Sequence, residues 1–463
     1  MAGIGFVLRK LSREDNLIGL CQAFAHSALA SSGPWLFTIL ALGTIVWLGG
    51  VYTTFEELQN FRVIVIYNFC FSLVFTAPVF MVATRYLADC IHKEDVSTIP
   101  GMLVGTLALA FLTQFPVACL FYLGYAILPT TLALSAIANF MLISAIWLIA
   151  IFLTALKDYK SITYTFAIGI TISIVASTLL AKKFQALGML NGFSIGLAFI
   201  TASLIARVFS EYPYRLRQPF AFLGHFRKYW EIALGGFAYN AAAWVDKWVM
   251  WFSPYADRMP TKLISYPHYD SAMFYAYLTI VPALAIFVFS VETSFFEVYL
   301  KFYRDIQHNA TFKRIQENHK LLIRNILYNA RNFLMIQGSL CVVVILTAPK
   351  IFDFFHFNYL QIGMFRYGVL GAFFHILTLF LTILLSYFDH RKGVLAIYLL
   401  FLVSNGVCSY FSMEAGFDYY GYGYFIASIS TFVVAAIITA VYVGRLPYHT
   451  FLTRNASIMP SNY

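Results

Sequence analysis

Residues 61–87 read FRVIVIYNFCFSLVFTAPVFMVATRYL, with 22 uncharged residues between Arg62 and Arg85. An α-helix rises ~1.5 Å per residue, so about 20 apolar residues cross the ~30 Å hydrocarbon core of a bilayer. This stretch is long enough to span a membrane and carries no charge in its interior. Comparable stretches occupy 16–49, 101–127, 131–156, 161–181, 186–208, 230–252, 271–297, 331–348, 362–388, 392–412 and 421–443. The first is too long for the apolar region of a cleavable signal and lacks a small-residue cleavage site, so it is expected to remain in the mature chain. The composition agrees, at 60% hydrophobic and 11% charged residues with a mean hydropathy of +0.75. A soluble domain carries about 25% charged residues. The expected fold is an all-α polytopic membrane protein of about twelve transmembrane helices.

Cytoplasmic loops are enriched in Lys and Arg. With both termini cytoplasmic and twelve crossings, 23 of the 31 basic residues fall on the inner side, and Lys182–Lys183 is the clear exception. The net charge of +10 is thus first a topology signal. A nucleic-acid partner would need a long soluble basic face, which is lacking. The six cysteines lie in or near apolar segments without a C-x-x-C pair, so neither a disulfide framework nor a zinc site is indicated.

Residues 209–229 form a basic linker after the sixth span. Each half opens with mixed apolar and basic residues, IGFVLRKLSRED at 4–15 and PFAFLGHFRKY at 219–229, as short interfacial helices do. The expected organisation is an interfacial N-terminus (1–15), a first six-helix lobe (16–208), a cytoplasmic linker (209–229), a second six-helix lobe (230–443) and a tail (444–463), with a central cavity between the lobes. Within the second lobe, 298–330 interleaves apolar and charged residues. It is expected to continue span eight into the cytoplasm as an amphipathic helix, as a membrane-surface connector or as a docking surface.

Ionisable groups at membrane depth are costly and face a protein interior or water. Span seven, WEIALGGFAYNAAAWVDKWVMWF, is the richest case. At about 100° per residue, Trp244, Trp248 and Trp251 share one face, suited to packing or a lipid interface, and Gly235, Tyr239, Ala242 and Asp246 the opposite one. Lys247 is placed to snorkel outward. Asp246 needs a cation, a donor or water: an ion pair with Arg366 would brace the helix, whereas a free carboxylate would serve cargo or cation coupling. Span one carries Gln22 and His26 and a helix break at Gly33-Pro34. Asn68, Ser72 and Thr76 form a polar stripe in span two; Asn139 and His375 are isolated polar points. Tyr419, Tyr420, Tyr422 and Tyr424 fit an interfacial aromatic belt or a glycan exit. The candidate substrate-pathway groups are Asp246, Tyr239, His26, Gln22 and Asn68.

Catalytic motifs fail. Gly192-Phe193-Ser194-Ile195-Gly196 matches a nucleophile elbow, but it lies in a membrane helix, where the G-x-x-x-G spacing reads as a packing face; Gly101 and Gly105 repeat that spacing. There is no P-loop and no H-E-x-x-H. No enzyme activity, cofactor or metal is expected.

The opening MAGIGFVLRKL with Ser31-Ser32-Gly33-Pro34-Trp35, then Thr84-Arg85-Tyr86-Leu87-Ala88-Asp89 and Trp244-Val245-Asp246-Lys247-Trp248, resembles the PelG family. That resemblance implies an inner-membrane translocator for the Pel exopolysaccharide of bacterial biofilms, similar to the multidrug/oligosaccharidyl-lipid/polysaccharide flippase superfamily. It further implies a cargo rich in N-acetylhexosamine, and partners in the glycosyltransferase PelF and the membrane proteins PelD and PelE. The alternatives are an ion-coupled antiporter or flippase for lipid-linked sugars or small molecules, and a non-conducting scaffold of a polysaccharide synthase.

Overall fold

The computed structural model describes residues 38–156, 159–284, 295–355 and 357–452. Gln22, His26, Gly33 and Pro34 lie outside them. The described chain is helical apart from one small hairpin, and eight helices are long and apolar enough to cross a membrane. It divides at Pro267/His268 into two compact units.

The first unit contains α1 (Thr38–Gly49), α2 (Phe55–His92), α3 (Ile99–Cys119), α4 (Thr130–Leu156), α5 (Tyr159–Glu211), α6 (Gly224–Lys228), α7 (Trp230–Ala242) and α8 (Val245–Met250), then β1 (Asp257–Arg258) and β2 (Ile264–Ser265). Helix α2 is central and packs on α3, α4, α5 and α7. Its start is set by Thr54, whose Oγ1 accepts from the Glu57 N–H, and by Glu56 and Glu57 in the first turn, where acids favour the helix dipole. Helix α3 opens into a π turn at Leu120–Tyr125. The β1–β2 pair is antiparallel and is pinned to α2 by Tyr67, whose hydroxyl donates to the Ile264 carbonyl at 2.8 Å.

Helix α5 is two helices joined at Gln185, where φ is 47° and ψ −127°. The halves return antiparallel: Ser177 Oγ donates to Met189 O at 2.9 Å and Ser173 Oγ to Phe193 O at 3.2 Å. They approach so closely that a Cβ on Gly192 or Gly196 would overlap Ser177 or Ser173. The G-x-x-x-G reading therefore holds, and the fold-back separates spans 161–181 and 186–208. Gly105 makes a second close approach, since a Cβ there would strike the Pro219 carbonyl. The linker is thus laid against α3 instead of looping free.

On sequence alone, 230–252 heads the second lobe. In the structure it packs in the first unit, because its tryptophans stack on α2. Trp251 lies 4.7 Å from Tyr67 at an interplanar angle of 6°, and Trp248 lies 5.5 Å from Phe71 at 9°. Trp248 Nε1 also donates to Cys70 Sγ at 3.1 Å. Packing, not a lipid interface, is the role of these two rings. The compact units accordingly divide at 267/268.

The second unit contains α9 (Pro267–Leu278), α10 (Phe296–Gln307), α11 (Phe312–Phe354), α12 (Ile362–Tyr387), α13 (Arg391–Ala415), α14 (Tyr422–Gly444) and α15 (Leu446–Leu452). Helix α12 packs on α11, α13 and α14. The amphipathic segment 298–330 is not one continuing helix. It is a helical hairpin that turns at Asn309, with a left-handed φ of 52°, and α11 then runs unbroken through 331–348. Arg314 closes it with a bidentate grip on Asp305 at 3.0 and 3.2 Å, and Asn318 also donates to that carboxylate. The tyrosine cluster divides in two: Tyr420 and Tyr424 are fully buried, while Tyr419 and Tyr422 are exposed. A purely interfacial belt is therefore excluded for the buried pair.

Candidate functional site: polar groups inside the helical units

In hydrocarbon a polar side chain must find its partner within the protein. In the first unit two such arrangements are built on α2.

The first is the break between α7 and α8. Tyr239 N-terminal to it is half-buried, whereas Asp246 and Lys247 beyond it are buried, at 0% and 5% exposure. Lys247 Nζ lies 3.0 Å from Asp246 Oδ2 and 3.1 Å from Oδ1, and it donates to the Ala243 carbonyl at 3.1 Å. The sequence expectation that Lys247 snorkels away from Asp246 is corrected. An uninterrupted helix would splay neighbouring residues by about 100°. Both residues lie in the first turn of α8, and the four-carbon lysine stem folds back toward the turn that ends α7, carrying Nζ to Asp246 and to the Ala243 carbonyl. Arg366 lies on α12 of the other unit, and its Nε is buried without a hydrogen-bond partner.

The second is a neutral network. Asn68 is fully buried; its Nδ2 donates to Asn139 Oδ1 at 2.9 Å and to the Ala136 carbonyl at 3.1 Å, and its Oδ1 accepts from Tyr122 at 2.6 Å. Asn139 in turn donates to Ser194 Oγ at 2.9 Å. One side chain thereby ties α2 to α4 and to the π turn after α3, and through Asn139 to α5. In this structure Asn68 faces protein on every side, so its geometry is that of a brace. Gln114 repeats the device, donating to Thr76 Oγ1 at 3.2 Å and accepting from Ser144 Oγ at 2.8 Å. Sequence inspection passed over Tyr122, Gln114 and Ser144. Gln114 did carry a signal, as the single amide within 101–127.

In the second unit His375 Nδ1 lies 2.9 Å from the Tyr424 hydroxyl and 3.3 Å from that of Tyr277, joining α12, α14 and α9. Gln337 of α11 donates to the Thr279 carbonyl at 2.9 Å. Both units therefore have interiors of amides, hydroxyls and aromatic rings, with the formal charges of Asp246 and Lys247 cancelling. Among the described residues no group of three His, Cys, Asp or Glu side chains is placed to hold a metal ion.

Solved structures share this architecture. A MOP-superfamily transporter from Pyrococcus furiosus Vc1 (DSM3638) superposes with a TM-score of 0.62 at 13% identity, over 91% of this chain and 96% of its own. An outward-facing multidrug resistance MATE family transporter gives 0.63 at 15% identity, over 91% and 96%. An inward-facing MATE transporter gives 0.60 at 14%, over 91% and 99%. At these identities the likeness is one of fold. No curated protein matches in sequence. The family model "PelG: Putative exopolysaccharide Exporter (EPS-E)" matches residues 1–451, nearly the whole chain. A multi-pass helical membrane protein with the MOP transporter fold, the chain belongs to the PelG family.

Proposed function

We propose that the protein exports nascent Pel exopolysaccharide, an N-acetylhexosamine-rich polymer, across the bacterial inner membrane from a cytoplasmic glycosyltransferase. The observation that carries this reading is the family match over residues 1–451 on a MOP transporter fold. The buried interior supports it: amide, hydroxyl and aromatic groups suit neutral sugar rings, and a closed ion pair adds no net charge. In this reading both termini are cytoplasmic. The α10–α11 hairpin, with exposed Lys313 and Lys320, faces the synthase machinery of PelF, PelD and PelE. Asp246 and Tyr239, with Gln22 and His26 of span one, contribute polar groups to the pathway, while Asn68 holds the first lobe in shape.

A buried aspartate on a MATE-like fold favours a second reading, ion-coupled antiport of lipid-linked sugars or small molecules. Reconstituted vesicles separate the two. Polymer appearing inside inverted vesicles only when the glycosyltransferase is present supports export. Cation-dependent uptake of small substrates without the glycosyltransferase overturns it. If variants that fill the polar interior leave secretion intact while loss of the 298–330 hairpin abolishes complex assembly, the chain is a scaffold.

A further inference from the structure

A second polar assembly lies apart from the buried pathway candidates, where the C-terminal end of α2 meets α6. Arg85, Asp89 and Lys93 project from α2 and its cap; His225, Lys228 and Tyr229 come from the linker. Together they line an open cleft of about 690 Å³, within the range of small-ligand sites. Tyr229 is buried and forms its floor. The Arg85 guanidinium sits 5.4 Å and Lys228 Nζ 5.2 Å from its ring centroid. Asp89 is drawn to one side, 3.6 Å from Arg85 Nε, 3.8 Å from His225 Nε2 and 3.4 Å from the Tyr229 hydroxyl.

Three permanent cations against one carboxylate leave the cleft with two net positive charges when its imidazoles are neutral. His225 lines the cleft half-buried. Burial, and then Lys228, Lys93 and Arg85, hold its imidazole below the ordinary value although Asp89 pulls the other way. An arginine fork, two mobile ammonium groups and a phenol match the oxygens of a phosphoryl group better than a single carboxylate does. The cleft also stands at the C-terminal end of α2, past its apolar run, where a helix that crosses a bilayer leaves the hydrocarbon.

We propose that the cleft between the end of α2 and α6 is a binding site for a phosphoryl group, carried by an anionic phospholipid headgroup or by a soluble phosphate. Lys93 and Lys228 are exposed, so their removal tests the site without opening a buried cavity. The full-length protein in neutral detergent is offered phosphatidylglycerol against phosphatidylcholine, with retention read by native mass spectrometry. Separately, inorganic phosphate is titrated in against a chloride background by calorimetry. Each of Lys93→Gln and Lys228→Gln should weaken binding about tenfold, the effect of a charge-assisted hydrogen bond worth about 1.4 kcal/mol. Lys350→Gln, an exposed lysine on α11, should leave it unchanged.

Preferential retention of phosphatidylglycerol, lost in the double variant, identifies a lipid site. Phosphate binding lost in the double variant identifies a soluble ligand. The proposal is overturned if wild-type protein shows neither, if the double variant binds as wild type does, or if Lys350→Gln weakens binding as much as the cleft variants.

Discussion

Asp246 and Lys247, neighbours in the chain, form an ion pair with Nζ 3.0 Å from Oδ2 and almost no solvent exposure of either residue. Adjacent helical residues do not ordinarily face one another. The long lysine stem is what allows this pair to close, folding back toward the turn that ends α7, and each charge is buried against the other.

Removing one partner should therefore cost more than removing both. Asp246→Ala leaves a buried ammonium and is expected to destabilise the protein by about 3–5 kcal/mol, whereas Asp246→Asn combined with Lys247→Met should recover most of that loss. Thermal unfolding in detergent measures both. If the double variant is stable but secretes no polymer, Asp246 serves cargo; if it secretes normally, the pair is a brace.

The Asn68 network gives a contrasting expectation. Asn68→Leu orphans the Tyr122 hydroxyl and one side of Asn139, at about 1–3 kcal/mol for each buried group left unsatisfied. Stability should fall, and polymer output should follow the amount of folded protein. A loss of output at undiminished folded protein would contradict the bracing role.

Gly105 offers a steric test. Gly105→Leu forces the linker off α3, because the added side chain occupies the position of the Pro219 backbone. Protease cleavage within 212–223 should accelerate several-fold, as expected for a segment stripped of its packing, while Gly124→Leu, which meets nothing nearby, should not change it.

His225 gives a pH dependence. Its imidazole titrates below 6.5 in the folded protein, so on acidification the unfolded chain takes up the proton first. Stability is unaffected by this group above pH 6.5 and declines as pH falls from there toward the folded value. His225→Gln should flatten that decline in thermal melts; an unchanged slope would show that burial, with its neighbouring cations, does not hold this imidazole down in the folded protein.

The spans were legible because hydrocarbon imposes a length and a polarity that sequence cannot disguise. Charge expulsion marked 61–87, and the glycine spacing at Gly192 and Gly196 marked a close helix contact that the fold-back at Gln185 then realised. The Lys247 contact is not legible in AAAWVDKW, because periodicity gives the direction in which a side chain leaves the helix and not where the end of a long flexible stem settles. The hairpin at 298–330 was taken for a single helix because an amphipathic pattern survives a turn whose ends rejoin the same face.

By itself, the sequence determined the solvent: a chain with so few interior charges belongs in a bilayer, and each long apolar run must be helical there because its backbone has no other hydrogen-bond partners. Only the tertiary structure decided which polar groups meet. Asn68 reaches Asn139, Tyr122 is brought down by a π turn, and span seven joins the first unit because Trp248 and Trp251 stack on α2. Such choices rest on side-chain contacts between segments far apart in the chain, and hydropathy, a sum over neighbours in sequence, carries no information about them.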